Sequence, residues 1–213
     1  MSTSTSAGSS AGEAYLLLAD ISGYTTFLAG VEQAHHVDFS GGIPAGYAVL
    51  GALLDAVVEG VRPDFELAKL EGDAVFAFAP ATGVDGRSQE VLARLQATHG
   101  AFIVRRDTAR AASDELCTAC PVVGSLDLKM VLHRGKVVRQ AIGSGSELLG
   151  PSVNVAHRLL KNTIQERIGR RPYLFLTNAA VAGLGDPQIG VAHAESYPDV
   201  GTIDGRIVEL GRT

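Results

Sequence analysis

Two short apolar segments that each meet an aspartate constrain this 213-residue chain more than anything else in it. The first, Tyr15-Leu16-Leu17-Leu18-Ala19, runs into Asp20-Ile21-Ser22-Gly23. A short, nearly unbroken apolar run of this kind reads as a buried strand. The second is a pair of segments, Phe65 to Leu70 and Ala74 to Phe78, joined through Glu71-Gly72-Asp73. Gly72 permits a tight turn and Asp is a common turn residue, so the pattern predicts a β-hairpin with Asp73 at its tip. Taken alone, Gly72-Asp73 is a turn like most others. Two strand ends that each deliver a carboxylate are also the simplest way for a sheet to build a metal site.

The remaining elements alternate around these strands. Tyr24 to Leu28 opens a helix after the Gly23 turn. Tyr47 to Val61 repeats Leu50, Leu53, Leu54, Val57, Val58 and Val61 at spacings of three and four, which predicts an amphipathic helix that Pro63 ends. Pro80 to Gly86 reads as a loop and Val91 to Ala112 as a second long helix. Leu126, Leu128, Met130 and Leu132 alternate with Asp127, Lys129, Val131 and His133, a strand with one apolar face. Gly135 is then expected to turn the chain into a strand at Lys136 to Arg139. Ala141 to Gly150 is rich in Gly and Ser, and Pro151-Ser152 opens a helix from Val153 to Gln165. Tyr173 to Leu176 is a strand, and Thr177 caps a short helix, Asn178 to Ala182, ended by Gly183. Ile189 to Val191 and Arg206 to Leu210 read as edge strands. This β-α-β-β-α-β order predicts an α+β sandwich: a mostly antiparallel sheet with helices on one side.

The length suits one domain, assigned here to residues 13–213. Met1 to Gly12 is rich in Ser, Thr, Gly and Ala with no basic start or apolar core, so it is expected to be a disordered tail and not a signal peptide. No apolar run reaches the length of a membrane span, and the default location is the cytoplasm. A net charge of −5 gives no global attraction to nucleic acid, so a polyanionic substrate would need a metal or a local basic cluster. Cys117-x-x-Cys120 lacks a second pair and reads as two thiols in a loop rather than a zinc or redox site. His35 and His36, in a segment that also holds Asp38, lack a third ligand at metal spacing and read as part of a polar loop. Arg105, Arg106 and Arg110 read as a solvated face favouring a helix C-terminus, in preference to a phosphate patch.

In a ferredoxin-like sheet the first strand lies beside the hairpin, so Asp20 and Asp73 can approach. Close carboxylates repel, and a divalent cation with a preference for oxygen, Mg2+ or Mn2+, removes that cost. The backbone N–H groups of Ile21, Ser22 and Gly23, next to a helix start, suit phosphate oxygens. Asn154 and Arg158 are four apart and share a helix face. Arg offers a fixed fork of donors to phosphate, and Asn offers both a donor and an acceptor.

Three stretches together resemble the signature motifs of class III nucleotide cyclases. They are Ala19-Asp20-Ile21-Ser22-Gly23-Tyr24-Thr25, Lys69-x-x-Gly72-Asp73 and Gly150-Pro151-x-Val153-Asn154-x-Ala156-x-Arg158-Leu159. Their order and approximate spacing agree, and the resemblance spans Tyr15 to about Leu210. It implies a metal site at Asp20, Ile21 and Asp73 holding two Mg2+ or Mn2+ ions. It implies base contacts from Lys69 and Glu147, phosphate contacts from Ile21, Ser22 and Gly23, ribose orientation by Asn154 and transition-state charge stabilisation by Arg158. The implied reaction closes a nucleoside triphosphate, by Lys69 most naturally ATP, to its 3′,5′-cyclic nucleotide with loss of pyrophosphate. Family members form the site between two subunits, so a homodimer with two sites is implied.

The chain departs from the pattern twice. Ile203-Asp204-Gly205 stands where the family commonly has Lys-Gly, placing an acid where a phosphate-binding base is usual. Glu147 is one methylene longer than the usual Asp, which leaves adenine, guanine and pyrimidine open. The Cys117–Cys120 stretch matches no catalytic element of the family. These departures keep a second reading in play, a cyclase-like module that binds a nucleotide or a protein partner without turnover.

Overall fold

A computed structural model describes residues 9–35, 45–112, 120–169 and 171–211. Its organising element is the first strand, β1 (Ser10–Ser22), in which every residue from Ala14 to Ala19 is buried. A strand shows this pattern only when both of its faces are covered, and alternation sends its side chains to two separate cores. Tyr15, Leu17, Ala19 and Ile21 enter the larger core. Helices α1 (Tyr24–His35) and α2 (Ala45–Val61) pack there through Phe27, Val31, Leu50, Leu53, Val57 and Val61. Ala14, Leu16 and Leu18 enter the smaller core on the opposite face.

The expected hairpin is present as β2 (Glu66–Glu71) and β3 (Ala74–Pro80). Helix α3 (Ser88–Ala112) follows and adds Val91, Leu95 and Phe102 to the larger core. Next come β4 (Asp127–Ile142), β5 (Gly145–Leu149), α4 (Pro151–Leu159), α5 (Ile164–Ile168), β6 (Tyr173–Thr177), α6 (Asn178–Leu184), β7 (Val191–Tyr197) and β8 (Gly201–Glu209). The sheet runs β2-β3-β1-β4-β6-β8-β7, with β5 paired to β4, and only the β4–β6 pairing is parallel. The first four strands thus have the ferredoxin-like order, and the α+β sandwich is as the sequence predicts. No helix among the described residues is long and apolar enough to cross a membrane.

The structure corrects the sequence reading in several places, among them β8, which lies between β6 and β7 and is not an edge strand, and α6, which runs through Gly183 to Leu184. Helices cover both faces of the sheet, because α4 packs Ala156 against Leu16, Leu18 and Phe76 on the side opposite α2 and α3. Residues 10–12, expected in the tail, pair with Val137, Val138 and Arg139 of β4. Gly135 makes no turn, and β4 passes straight through it. A Cβ there would collide with the Ser152 side chain, so the glycine lets the start of α4 approach the sheet. The hairpin lies further on, between β4 and β5, inside the Gly/Ser-rich stretch. The helix expected from Val153 to Gln165 is split into α4 and α5. The Asn162 carboxamide holds the break by donating to Leu159 C=O at 2.6 Å and accepting from Ile164 N–H at 3.1 Å and Tyr173 O–H at 2.8 Å.

The long β4 also carries a half-buried histidine. Thr177 caps α6 as predicted, its hydroxyl oxygen accepting from Ala180 N–H. That hydroxyl lies 3.0 Å from His133 Nδ1. Burial pushes the His133 ring down from 6.5 to about 4, so it is neutral at pH 7. The unfolded chain therefore binds one more proton than the folded one between these two values. Stability is full above pH 6.5 and falls as pH drops toward 4. The expected loss is roughly 3 kcal/mol. Urea unfolding between pH 7.5 and 4.5 checks this, and His133→Gln removes that part of the pH slope.

Candidate functional site

Asp20 follows the unbroken buried run of β1 and pairs in register with Ala74 of β3 on one side and Lys129 of β4 on the other. Gly72 takes the left-handed backbone the turn requires, at φ +64°. Ile21 N–H then donates to the Asp73 carbonyl at 3.1 Å, which carries the strand pairing around the turn. Both aspartates consequently line one cavity of about 750 Å³, together with Ser22, Gly23 and the first residues of α1.

The electrostatics follow from this convergence. Burial, and after it the charge of Asp20, push the Asp73 carboxyl above its ordinary value. Burial and Asp73 likewise raise Tyr24 at the start of α1. Asp20 is compensated by Lys129, whose Nζ lies 3.1 Å from Oδ2 and also donates to Leu160 C=O at 3.3 Å. Arg106 and Arg171 line the same cavity. The expectation of a solvated arginine face is therefore incomplete, because Arg106 turns inward and donates to Leu126 C=O at 3.0 Å.

Among the described residues no three His, Cys, Asp or Glu side chains are grouped to hold a metal. The donor set here is two carboxylates and backbone, which are hard oxygens. That chemistry fits Mg2+ or Mn2+, which complete their shells with water and substrate phosphate. Two carboxylates on one cavity, with Asp73 raised by burial and then by the charge of Asp20, are the electrostatic situation a divalent ion relieves. Ile21, Ser22 and Gly23 border the cavity beside the N-terminus of α1, where the first-turn N–H groups and the helix dipole favour anions, while the Ile21 N–H itself is taken by the Asp73 carbonyl.

A second cluster forms on the α4 face of the sheet. Lys69 Nζ lies 3.7 Å from Glu147 Oε2 and 3.0 Å from Glu71 Oε1. The two sequence-assigned base contacts are thus adjacent although β2 and β5 are far apart in the chain. Glu71 in turn faces His157 Nε2 at 2.8 Å. Asn154 and Arg158 are both exposed on α4, and Arg158 pairs with Asp199 of the β7–β8 turn at 2.6 Å. Asp204 pairs in register with Ala194 and lines a different cavity of about 400 Å³ with Arg167 and Arg206. His36, Asp38 and Cys117 lie outside the described residues, as do the side chains of His35 and Cys120.

Sequence reasoning missed Lys129, Glu71, His157 and Asp199. Lys129 carries a signal only in retrospect, as a cation that alternation along β4 leaves on the Asp20 side.

The fold is that of the class III adenylyl and guanylyl cyclase domains. A bacterial light-regulated adenylyl cyclase superposes with a TM-score of 0.65 at 17% identity, covering 95% of this chain and 52% of that one. The adenylyl cyclase CyaB from Pseudomonas aeruginosa gives 0.65 at 15% identity, covering 96% of this chain and 98% of that one. In sequence, the chain belongs to the family described as protein of unknown function DUF2652, which it matches over residues 50–167. The uncharacterized protein Rv2561/Rv2562 of Mycobacterium tuberculosis is 33% identical over 131 residues, 61% of this chain and 57% of that protein. The match therefore spans little more than half of that relative's length.

A divalent ion bound between Asp20 and Asp73 has a direct thermal signature. Mn2+ at about a hundred times its dissociation constant is expected to stabilise the chain by about 2.7 kcal/mol, read as a rise in the thermal midpoint. Asp20→Asn and Asp73→Asn each remove that rise. Asp73→Asn also raises the metal-free midpoint, because it deletes the repelling charge. An undiminished Mn2+ shift in both variants contradicts the site.

Proposed function

We propose that the chain is a class III-type nucleotide cyclase domain. It converts a nucleoside triphosphate, with ATP the preferred candidate, to the 3′,5′-cyclic nucleotide and pyrophosphate. The observation that carries this reading is the convergence of Asp20 and Asp73, from two separate motifs, on one cavity beside the start of α1. In the reaction the ribose 3′-oxygen bonds to the α-phosphorus, the bond to the β-phosphate oxygen breaks, and the 3′-proton is lost. Mg2+ or Mn2+ held by Asp20, Ile21 and Asp73 would lower the hydroxyl pKa and neutralise phosphate charge. The chain supplies the rest. Ser22 and Gly23 N–H groups hold phosphate oxygens, and Lys129 and Arg171 add positive charge at the same cavity. Lys69 and Glu147 read the base. Asn154 orients the ribose, and Arg158 meets the charge that develops at the α-phosphate.

Asn154 and Arg158 face solvent, as residues that complete a partner's site must. An apolar strip supports the homodimer. Val138 and Leu149 are cross-strand partners on β4 and β5 and are 38% and 41% exposed, with Ile142 on the same face. Apolar side chains this exposed on the paired strands β4 and β5 suit an interface between copies.

A second reading, nucleotide binding without turnover, is favoured by two observations: Arg158 is engaged by Asp199, and Asp204 stands where the family commonly has a lysine. Incubation of the purified chain with each nucleoside triphosphate and Mn2+ separates the two. Cyclic product is expected, reduced at least a hundredfold in Asp73→Ala and by about two to three orders of magnitude in Arg158→Ala. Binding with no product above the Asp73→Ala control selects the second reading.

A further inference from the structure

His157 lies next to Arg158 on α4 but turns the other way, toward β2. Its ring is held at three points. Nδ1 donates to Val153 C=O at 2.8 Å. Nε2 sits 2.8 and 3.0 Å from the two oxygens of Glu71. Phe76 meets the ring edge-on with centroids 5.0 Å apart. Glu71 also takes Lys69 at 3.0 Å, whereas Glu147 lies 3.7 Å from the same ammonium. Glu71 therefore competes with Glu147 for Lys69 and has the shorter contact.

That competition has a consequence for recognition. Lys69 is 42% exposed on a flexible four-carbon stem, and Glu147 is 47% exposed. Left to themselves, two such groups close on each other and satisfy each other's hydrogen bonds. An exposed pair of this kind contributes little to stability, so its use lies elsewhere. With Lys69 drawn toward Glu71, the ammonium keeps a free N–H and Glu147 keeps free lone pairs. A donor and an acceptor then stand side by side toward solvent. This matches the edge of a purine, where an acceptor atom adjoins an N–H group. Glu71 holds Lys69 in this way only while its own carboxylate is fixed, and His157 fixes it.

We propose that Glu71 and His157 are positioning residues for base recognition: they hold Lys69 off Glu147, so that the two read a purine as separate donor and acceptor. This inference rests on the cyclase reading and adds two residues to it. A role confined to stapling β2 to α4 predicts equal losses for every nucleotide. A positioning role predicts a change in the preference between bases.

The test compares wild type, His157→Ala, His157→Gln and Glu71→Ala with ATP and GTP, reading kcat and KM by product formation and Kd by calorimetry. In His157→Ala and Glu71→Ala, KM and Kd for the preferred purine rise about tenfold, while those for the other rise less than twofold and kcat changes less than threefold. The preference collapses as a result. His157→Gln, whose amide N–H can reach Glu71, restores most of it. Equal losses for both purines, or an unchanged preference, overturn the positioning role while leaving the cyclase reading intact. If wild type binds without turnover, the same ratio is read from Kd alone. A wild-type chain that binds neither nucleotide overturns both readings.

Discussion

One backbone hydrogen bond, from Ile21 N–H to the Asp73 carbonyl at 3.1 Å, sets the geometry on which the rest of the site depends. It locks the hairpin turn against the end of β1 and so fixes where two carboxylates meet. Burial and, after it, the charge of Asp20 work against an ionised Asp73 there, so the arrangement is electrostatically unfavourable. The sheet imposes it because β1 is buried on both faces and paired on both edges. Burial of side chains such as Leu16, Leu17 and Leu18 contributes roughly 1.5–3 kcal/mol each, which outweighs the repulsion of two partly solvated acids. Lys129, one strand over, offsets part of what remains.

The two charged clusters differ in what their ion pairs do. At the cavity, Asp20 and Lys129 are 17% and 22% exposed, so their attraction is only partly screened and the charges set the local potential. Around Lys69 the groups are far more open, and pairing there orients side chains rather than stabilising the fold. Burial pulls Glu71 upward, but Lys69 and His157 outweigh it and keep the carboxylate ionised. Lys69 is raised in turn, chiefly by Glu71. The α4 face of the sheet thus carries the charged cluster around Lys69, and the opposite face carries the larger core.

Much of this was legible in the sequence because it is local. The three-and-four spacing of α2, the Thr177 cap and the Gly72-Asp73 turn each follow from residues adjacent in the chain. The strand order around β1 follows from the β-α-β-β-α-β pattern, and with it the approach of Asp20 to Asp73. What escaped depends on contacts between distant segments. Gly135 resembles a turn residue until Ser152 is seen against it. Strand β5 hides in a Gly/Ser-rich stretch with little apolar alternation. Lys129 becomes a partner of Asp20 only once the β1–β4 register is known, and Glu71 meets His157 only when α4 folds onto the sheet. The assignments for Asn154 and Arg158 came from the resemblance, and the structure adds their exposure and the Asp199 contact.

The proposed function requires that each active site take its carboxylates from one copy and its Asn154 and Arg158 from another. Mixing two inactive variants, Asp73→Ala and Arg158→Ala, tests it most directly. Random exchange of subunits makes half the dimers mixed, and each mixed dimer carries one intact site of two. The account predicts recovery of about a quarter of wild-type activity. No recovery from two folded variants that exchange subunits, or full activity in a monomeric chain, would contradict it.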